Sequence, residues 1–227
     1  MKLEVIVQNG DEAKQAEELG ADRLELVSAI SEGGLTPSCG TIKQVLQSVS
    51  IPVQVMIRPH SFHYHYTTSD KAIIFEDIQA LTDMGGHRIV FGVLNKDGTI
   101  NETVLRELTE RFPELDITFH KAFDEVPSQR DAYMTLAKYQ THVKRILTSG
   151  GKMLSADNLQ DLLQMKHETG GPAIMPGGGL NTDNIAAIHR NVLADQYHFG
   201  KAVRVHDSFA NSFDSERMAR VKKAIST

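Results

Sequence analysis

Glu4, Glu25, Arg58 and His120 lie on or at the ends of strand-like runs, each on the face opposite the apolar one. Gathered on one inward face, they point to acid–base chemistry on an anion. His120 is a candidate proton shuttle near neutral pH, and Arg58 offers a planar fork to a carboxylate or phosphate. Glu4 and Glu25 lie deeper, placed to polarise His120 or to act as general base. The same face carries Ile6, Arg23, Gln54, Met56, Thr118 and, by extension, His198. Ionised groups there must pair or meet a ligand, because unpaired burial is costly. The alternative is a closed network in which Arg23 or Arg58 neutralises Glu4 and Glu25.

Two glycine clusters follow late apolar runs. Met175-Pro176-Gly177-Gly178-Gly179-Leu180-Asn181 leads into a helix-like stretch, Thr182–His189, and a triple glycine lets backbone pass close to a ligand. Thr148-Ser149-Gly150-Gly151 adds two hydroxyls and further backbone donors. With His198, and with Lys201 and Arg204 from the last strand-end loop, these segments predict an anion cradle, while Asp124 in the loop after the fifth strand joins the catalytic candidates; as turns alone, the glycines need no ligand. His60-x-x-His63-x-His65, interleaved with Phe62, Tyr64 and Tyr66, reads either as an aromatic lid or as ligands for Zn²⁺ or Cu²⁺. Cys39 reads as a residue at the same mouth or as a small residue near a helix start.

The elements that must position these groups alternate regularly. Strand-like runs are Leu3–Val7, Arg23–Val27, Val53–Ile57, Arg88–Val93, Asp116–His120, Val143–Leu147, Ala173–Met175 and Gln196–Gly200. Helical stretches are Asp11–Leu19, Ser38–Val49, Ser69–Met84, Glu102–Phe112, Ser128–Tyr139, Ser155–Glu168, Thr182–His189 and Ser215–Ile225. Gly20 and Gly85 follow helix ends, and Thr36-Pro37 and Thr182-Asp183 offer N-cap oxygens. Strict alternation implies parallel strands with helical crossovers. Eight units in so short a chain, with no G-x-G-x-x-G after the first strand, favour an α/β (β/α)8 barrel over an open sheet. In such barrels the loops after strands seven and eight commonly hold a phosphate.

Composition narrows the partners. The chain has 227 residues, 41% hydrophobic and 23% charged, with a formal net charge of −5 and no basic stripe. Nucleic acid and membrane are therefore not expected partners; a small-molecule or metal ligand is. The N-terminus enters a strand pattern at once, and the single cysteine excludes an internal disulfide, so a cytoplasmic protein is expected.

Several segments together resemble the copper homeostasis protein CutC family. They include Gly20-Ala21-Asp22-Arg23-Leu24-Glu25-Leu26, Glu32-Gly33-Gly34-Leu35-Thr36-Pro37-Ser38, Met56-Ile57-Arg58-Pro59, Thr118-Phe119-His120-Lys121-Ala122-Phe123-Asp124 and Arg145-Ile146-Leu147-Thr148-Ser149-Gly150. The resemblance implies one CutC-like TIM-barrel domain over residues 1–227, a cytoplasmic homodimer or higher homo-oligomer, and a role in copper homeostasis with copper as the implied ion. Members proposed to bind Cu(I) carry cysteines where this chain has Ile6 and Val27, which leaves Cys39, His60, His63 and His65 as metal candidates. Two functions stand side by side: a copper-associated homeostasis protein, and an enzyme acting on a small phosphorylated or carboxylated metabolite with His120 as acid/base. An interaction module with a vestigial site is a third.

Overall fold

The computed structural model describes residues 1–226. Eight strands, β1 (Lys2–Val7), β2 (Arg23–Leu26), β3 (Val53–Met56), β4 (Arg88–Phe91), β5 (Asp116–Phe119), β6 (Val143–Thr148), β7 (Ala173–Pro176) and β8 (Gln196–Phe199), pair in parallel in the order β7-β6-β5-β4-β3-β2-β1-β8. β7 and β8 come together at the remaining seam, so the sheet forms a nearly closed barrel. Eight helices follow the strands in turn: α1 (Gly10–Glu18), α2 (Cys39–Ser48), α3 (Thr68–Asp83), α4 (Glu102–Arg111), α5 (Gln129–Ala137), α6 (Ala156–Thr169), α7 (Ile185–Val192) and α8 (Ser215–Ile225). The expected (β/α)8 barrel is the fold. Among the described residues no helix is long and apolar enough to cross a membrane.

Period-two alternation sorts the strands as the sequence predicts. Leu3, Val5, Val7, Leu24, Leu26, Val55, Ile57, Ile117 and Phe119 are buried beneath the helices. The inward face buries Glu4, Arg23, Glu25, Gln54, Thr118 and His198, beside a small apolar cluster of Val27, Met56 and Val90. Register then decides who meets whom. Glu4 of β1 is level with Arg23 of β2 on one side and His198 of β8 on the other.

Local chemistry corrects two caps. α2 is capped by Ser38, whose Oγ accepts from the Thr41 N–H at 3.2 Å. Thr36 Oγ1 accepts instead from the Arg58 N–H at 2.9 Å, which ties the end of β3 to the preceding loop. α7 begins at Ile185 rather than Thr182. Asn181 Oδ1 accepts from the Asp183 and Asn184 N–H groups at 2.9 and 3.0 Å, a side-chain turn that delays the helix.

Candidate functional site

At the C-terminal ends of the strands opens a cavity of about 1330 Å³, whose wall includes Glu25, Arg58, Tyr64, His120, Lys121 and His198. Its floor is an ionic chain. Arg23 Nε donates to Glu4 Oε2, and His198 Nδ1 lies 2.8 Å from Glu4 Oε1. The other ring nitrogen, Nε2, lies 3.4 Å from Glu25 Oε2. Arg23 is itself fixed by Gln196 Oε1 at 2.7 Å and Met175 Sδ at 3.0 Å. One imidazole thus bridges two buried carboxylates, and Arg23 hydrogen-bonds to the inner one.

The electrostatics separate the two glutamates. Burial opposes ionisation of Glu4, but the Arg23 charge and the His198 hydrogen bond outweigh it and hold its carboxyl far below the usual range. Burial dominates at Glu25; Glu4 adds to it, His198 and Arg23 oppose it, and its carboxyl is pushed up to about 7. Burial would lower His198, yet Glu25 and Glu4 together raise it. Two carboxylates in one chain, driven apart by their surroundings, are the arrangement that assigns acid and base roles. Glu25 Oε1 is buried with no hydrogen-bond partner among the described residues.

His120 behaves differently from expectation. The glutamates polarise His198, not His120. His120 Nδ1 accepts from the Ala122 N–H at 3.1 Å, capping the short 3-10 turn Lys121–Glu125. Burial, reinforced by the Arg58 charge, drives the ring down to about 3. It is therefore a neutral imidazole at physiological pH rather than a group titrating near neutrality. With Nδ1 accepting, the proton sits on Nε2, which is buried and has no partner among the described residues.

Arg58 is buried at 7% exposure, and no carboxylate pairs with it among the described residues. Among those residues its guanidinium donates only to carbonyls, Ser61 O at 3.2 Å and Gly34 O and Glu32 O at 3.4 Å, and its Nε has no partner. Tyr64 lies against both groups, its ring centre 4.8 Å from the Arg58 guanidinium carbon and 4.9 Å from the His120 ring.

Gly92 makes room for this imidazole: a Cβ there would overlap the His120 ring and crowd Ala122. Gly92→Ala is expected to displace the ring and break the Ala122 bond, at about 1–3 kcal/mol of stability. Imidazole nitrogen shifts in NMR read the change, and an unmoved His120 tautomer in a folded Gly92→Ala protein contradicts it.

The predicted anion cradle is partly closed by the protein itself. Thr148 Oγ1, Ser149 N and Ser149 Oγ all donate to Asp124, the last two at 3.1 and 2.9 Å. Gly150 N–H bonds to Thr148 Oγ1 and Gly177 N–H to Thr148 O, both at 2.9 Å. Asp124 therefore occupies donors assigned from sequence to a ligand. Gly178 and Gly179, at φ of +77° and +89°, remain on the cavity wall with Lys201. Arg204 is withdrawn altogether, fully buried and bound to Glu12 Oε2 at 2.5 Å.

The metal candidates do not converge. Among the described residues no group of three His, Cys, Asp or Glu side chains is placed to hold an ion. His63 and His65 stack with centroids 3.6 Å apart and planes 18° from parallel, so their in-plane lone pairs run side by side. His60 meets His63 edge-on at 4.8 Å and leans toward Asp70, 3.5 Å away. Cys39 is exposed at the start of α2 and is absent from the cavity wall. Sequence reasoning missed Lys121, Phe209 and Arg217, which also line the cavity.

Comparison with known proteins agrees with this architecture. The family model described as CutC family matches residues 1–203. The family protein CutC of Mesorhizobium japonicum is 36% identical over 198 residues, covering 87% of this chain and 76% of the relative. A crystal structure described as the copper homeostasis protein CutC from Streptococcus agalactiae matches with a TM-score of 0.81 at 26% identity, over 88% of this chain and 98% of that one. N-(5'-phosphoribosyl)anthranilate isomerase from Pyrococcus furiosus matches at 0.64 over 100% of this chain and 98% of its own, and at 13% identity that likeness concerns the fold alone. With a family model spanning nine-tenths of the barrel and relatives matched along the same stretch, this chain belongs to the CutC family.

Proposed function

We propose that this protein is an acid–base enzyme acting on a small anionic metabolite, with Glu25 as the group that takes and returns a proton. The observation that carries the reading is Glu25 itself: buried in the cavity wall, backed by His198 on one oxygen and unpartnered on the other. A carboxyl poised near 7 can both accept and release a proton at physiological pH. His198 and Glu4 stand behind it as a charge reservoir, and Arg58 supplies the positive charge an anion needs. The test is uptake of solvent deuterium at carbon, followed by NMR across small 2-oxo and 2-hydroxy acids and their phosphates. Incorporation lost in Glu25→Gln supports the reading; incorporation unaffected by that change rejects it.

The structural relative's description brings a second reading, copper homeostasis, and the residues present do not fit a Cu(I) centre. Soft Cu(I) prefers thiolate and thioether donors. Ile6 and Val27 supply hydrocarbon, Cys39 lies apart, Met175 already faces an Arg23 N–H, and Met56 is packed in the inner apolar cluster. We expect an anaerobic Cu(I) titration against a competing chelator to show no stoichiometric uptake. Competitive uptake lost on Cys39→Ser, or on joint replacement of His60, His63 and His65 by Ala, would overturn that expectation.

A further inference from the structure

We propose that Arg58 and His120 together form an oxyanion-holding subsite, and that the substrate is a 2-oxo acid whose C3 proton Glu25 removes. This assignment rests on Glu25 being the acid–base group and goes on to name what that group acts upon. It starts from two buried cavity-wall side chains with unused donors. Among the described residues Arg58 Nε and His120 Nε2 are both buried without a partner, and Tyr64 packs against both groups. Such donors are costly to leave unmade, so their persistence marks a place where another acceptor belongs.

The kind of acceptor follows from the donors. His120 is pinned by the Ala122 N–H so that Nε2 presents a proton, and it contributes a hydrogen bond without a charge. Arg58 contributes a charge in a flat fork held by its three carbonyl contacts. A neutral imidazole beside a cation suits an oxygen that becomes negative during reaction more than one that is fully charged from the start. A carboxylate on Arg58 and an adjacent carbonyl oxygen on His120 satisfy both, which describes a 2-oxo acid.

The step balances without a co-reactant. Glu25 Oε1 takes the C3 proton, and the C3–H electron pair becomes the C2=C3 bond. The carbonyl pair moves onto oxygen, where His120 Nε2–H and the Arg58 charge stabilise it. Return of the proton to C3 regenerates the keto form, so the minimal reaction is exchange at C3. Nothing is oxidised or reduced.

Oxalate, a flat dianion with the shape of the enolate, is the probe. Calorimetric titration of the intact protein should show saturable binding, weakened about 10- to 100-fold by Arg58→Met and by His120→Leu. His120→Gln, which keeps a donor, should recover part of the loss, and the Nε2–H resonance of His120 should move downfield on binding. Inorganic phosphate should compete poorly. Absence of saturable oxalate binding, binding as tight as wild type in both Arg58→Met and His120→Leu, or equally effective competition by phosphate overturns the subsite. Glu25→Gln separates the two claims: retained oxalate binding with retained deuterium exchange rejects Glu25 as the base while leaving the subsite standing.

Discussion

Arg23→Met is expected to destabilise the barrel by about 3–5 kcal/mol, because removing one member of a buried ion pair strands the other. For a chain of this size that is a fall in melting temperature of roughly 6–20 °C. The stranded group is Glu4, fully buried and left with His198 as its remaining side-chain partner. Gln196 Oε1 loses its donor as well. The pH dependence has a defined sign. Glu4 is depressed in the folded state, so its contribution is complete above the ordinary carboxylate range and disappears only as pH falls through its low folded value. Arg23→Met lacks that contribution, and the gap between the two proteins should narrow in acid. The double variant Arg23→Met/Glu4→Gln should recover most of the loss, since an apolar or neutral replacement of both partners is often nearly neutral. Thermal melts of the three proteins at neutral pH decide the matter. A double variant no more stable than Arg23→Met would show that the loss came from packing around Met175 and Gln196, not from a stranded charge.

The strands and their two faces were legible because alternation is local. Leu3, Val5 and Val7 against Glu4 and Ile6 can be read in five residues, and the same holds for Leu24 and Leu26 against Arg23 and Glu25. What alternation does not encode is partnership across the ring. His198 reaches Glu4 across 194 residues, and only the register of β8 on β1 makes them level. The sequence therefore paired the glutamates with His120, one strand end among several, when the closing strand supplies the imidazole. A similar limit applies to the cradle. Thr148 and Ser149 do present donors at the end of β6, as their types suggest, but Asp124 from the loop after β5 fills them first. A signal for His120 did exist: a histidine directly before Lys121–Glu125 can cap that turn through Nδ1, which fixes its tautomer. Its loss of basicity depends in addition on burial beside Arg58, which no short segment displays.

Glu25→Gln is expected to reduce deuterium incorporation by about 10²–10⁴-fold, the range that positioned proton transfer contributes. The wild-type rate should rise with pH through an apparent pKa near 7, because only the ionised Glu25 can accept a proton and its carboxyl is pushed up to about 7. Stability should move the opposite way. A carboxyl raised from 4.5 to about 7 on folding binds more protons in the folded state between those values, so stability falls as pH rises across that window. Glutamine imitates the neutral form that burial prefers. The variant should therefore melt above the wild type at pH 8 and close to it at pH 5, while remaining inactive at both. This crossing of trends separates a catalytic carboxylate from a structural one: a structural Glu25 would make the glutamine variant less stable at pH 8, where the Glu25 carboxyl is ionised and 3.4 Å from the His198 ring. It also constrains His198. With Glu25 neutralised, the imidazole keeps Glu4 at 2.8 Å but loses the charge 3.4 Å away that does most to hold its proton, so its own pKa should fall. Titration of the His198 ring by NMR in both proteins tests that coupling, and an unchanged His198 would mean that the Glu25 charge does not hold the His198 proton.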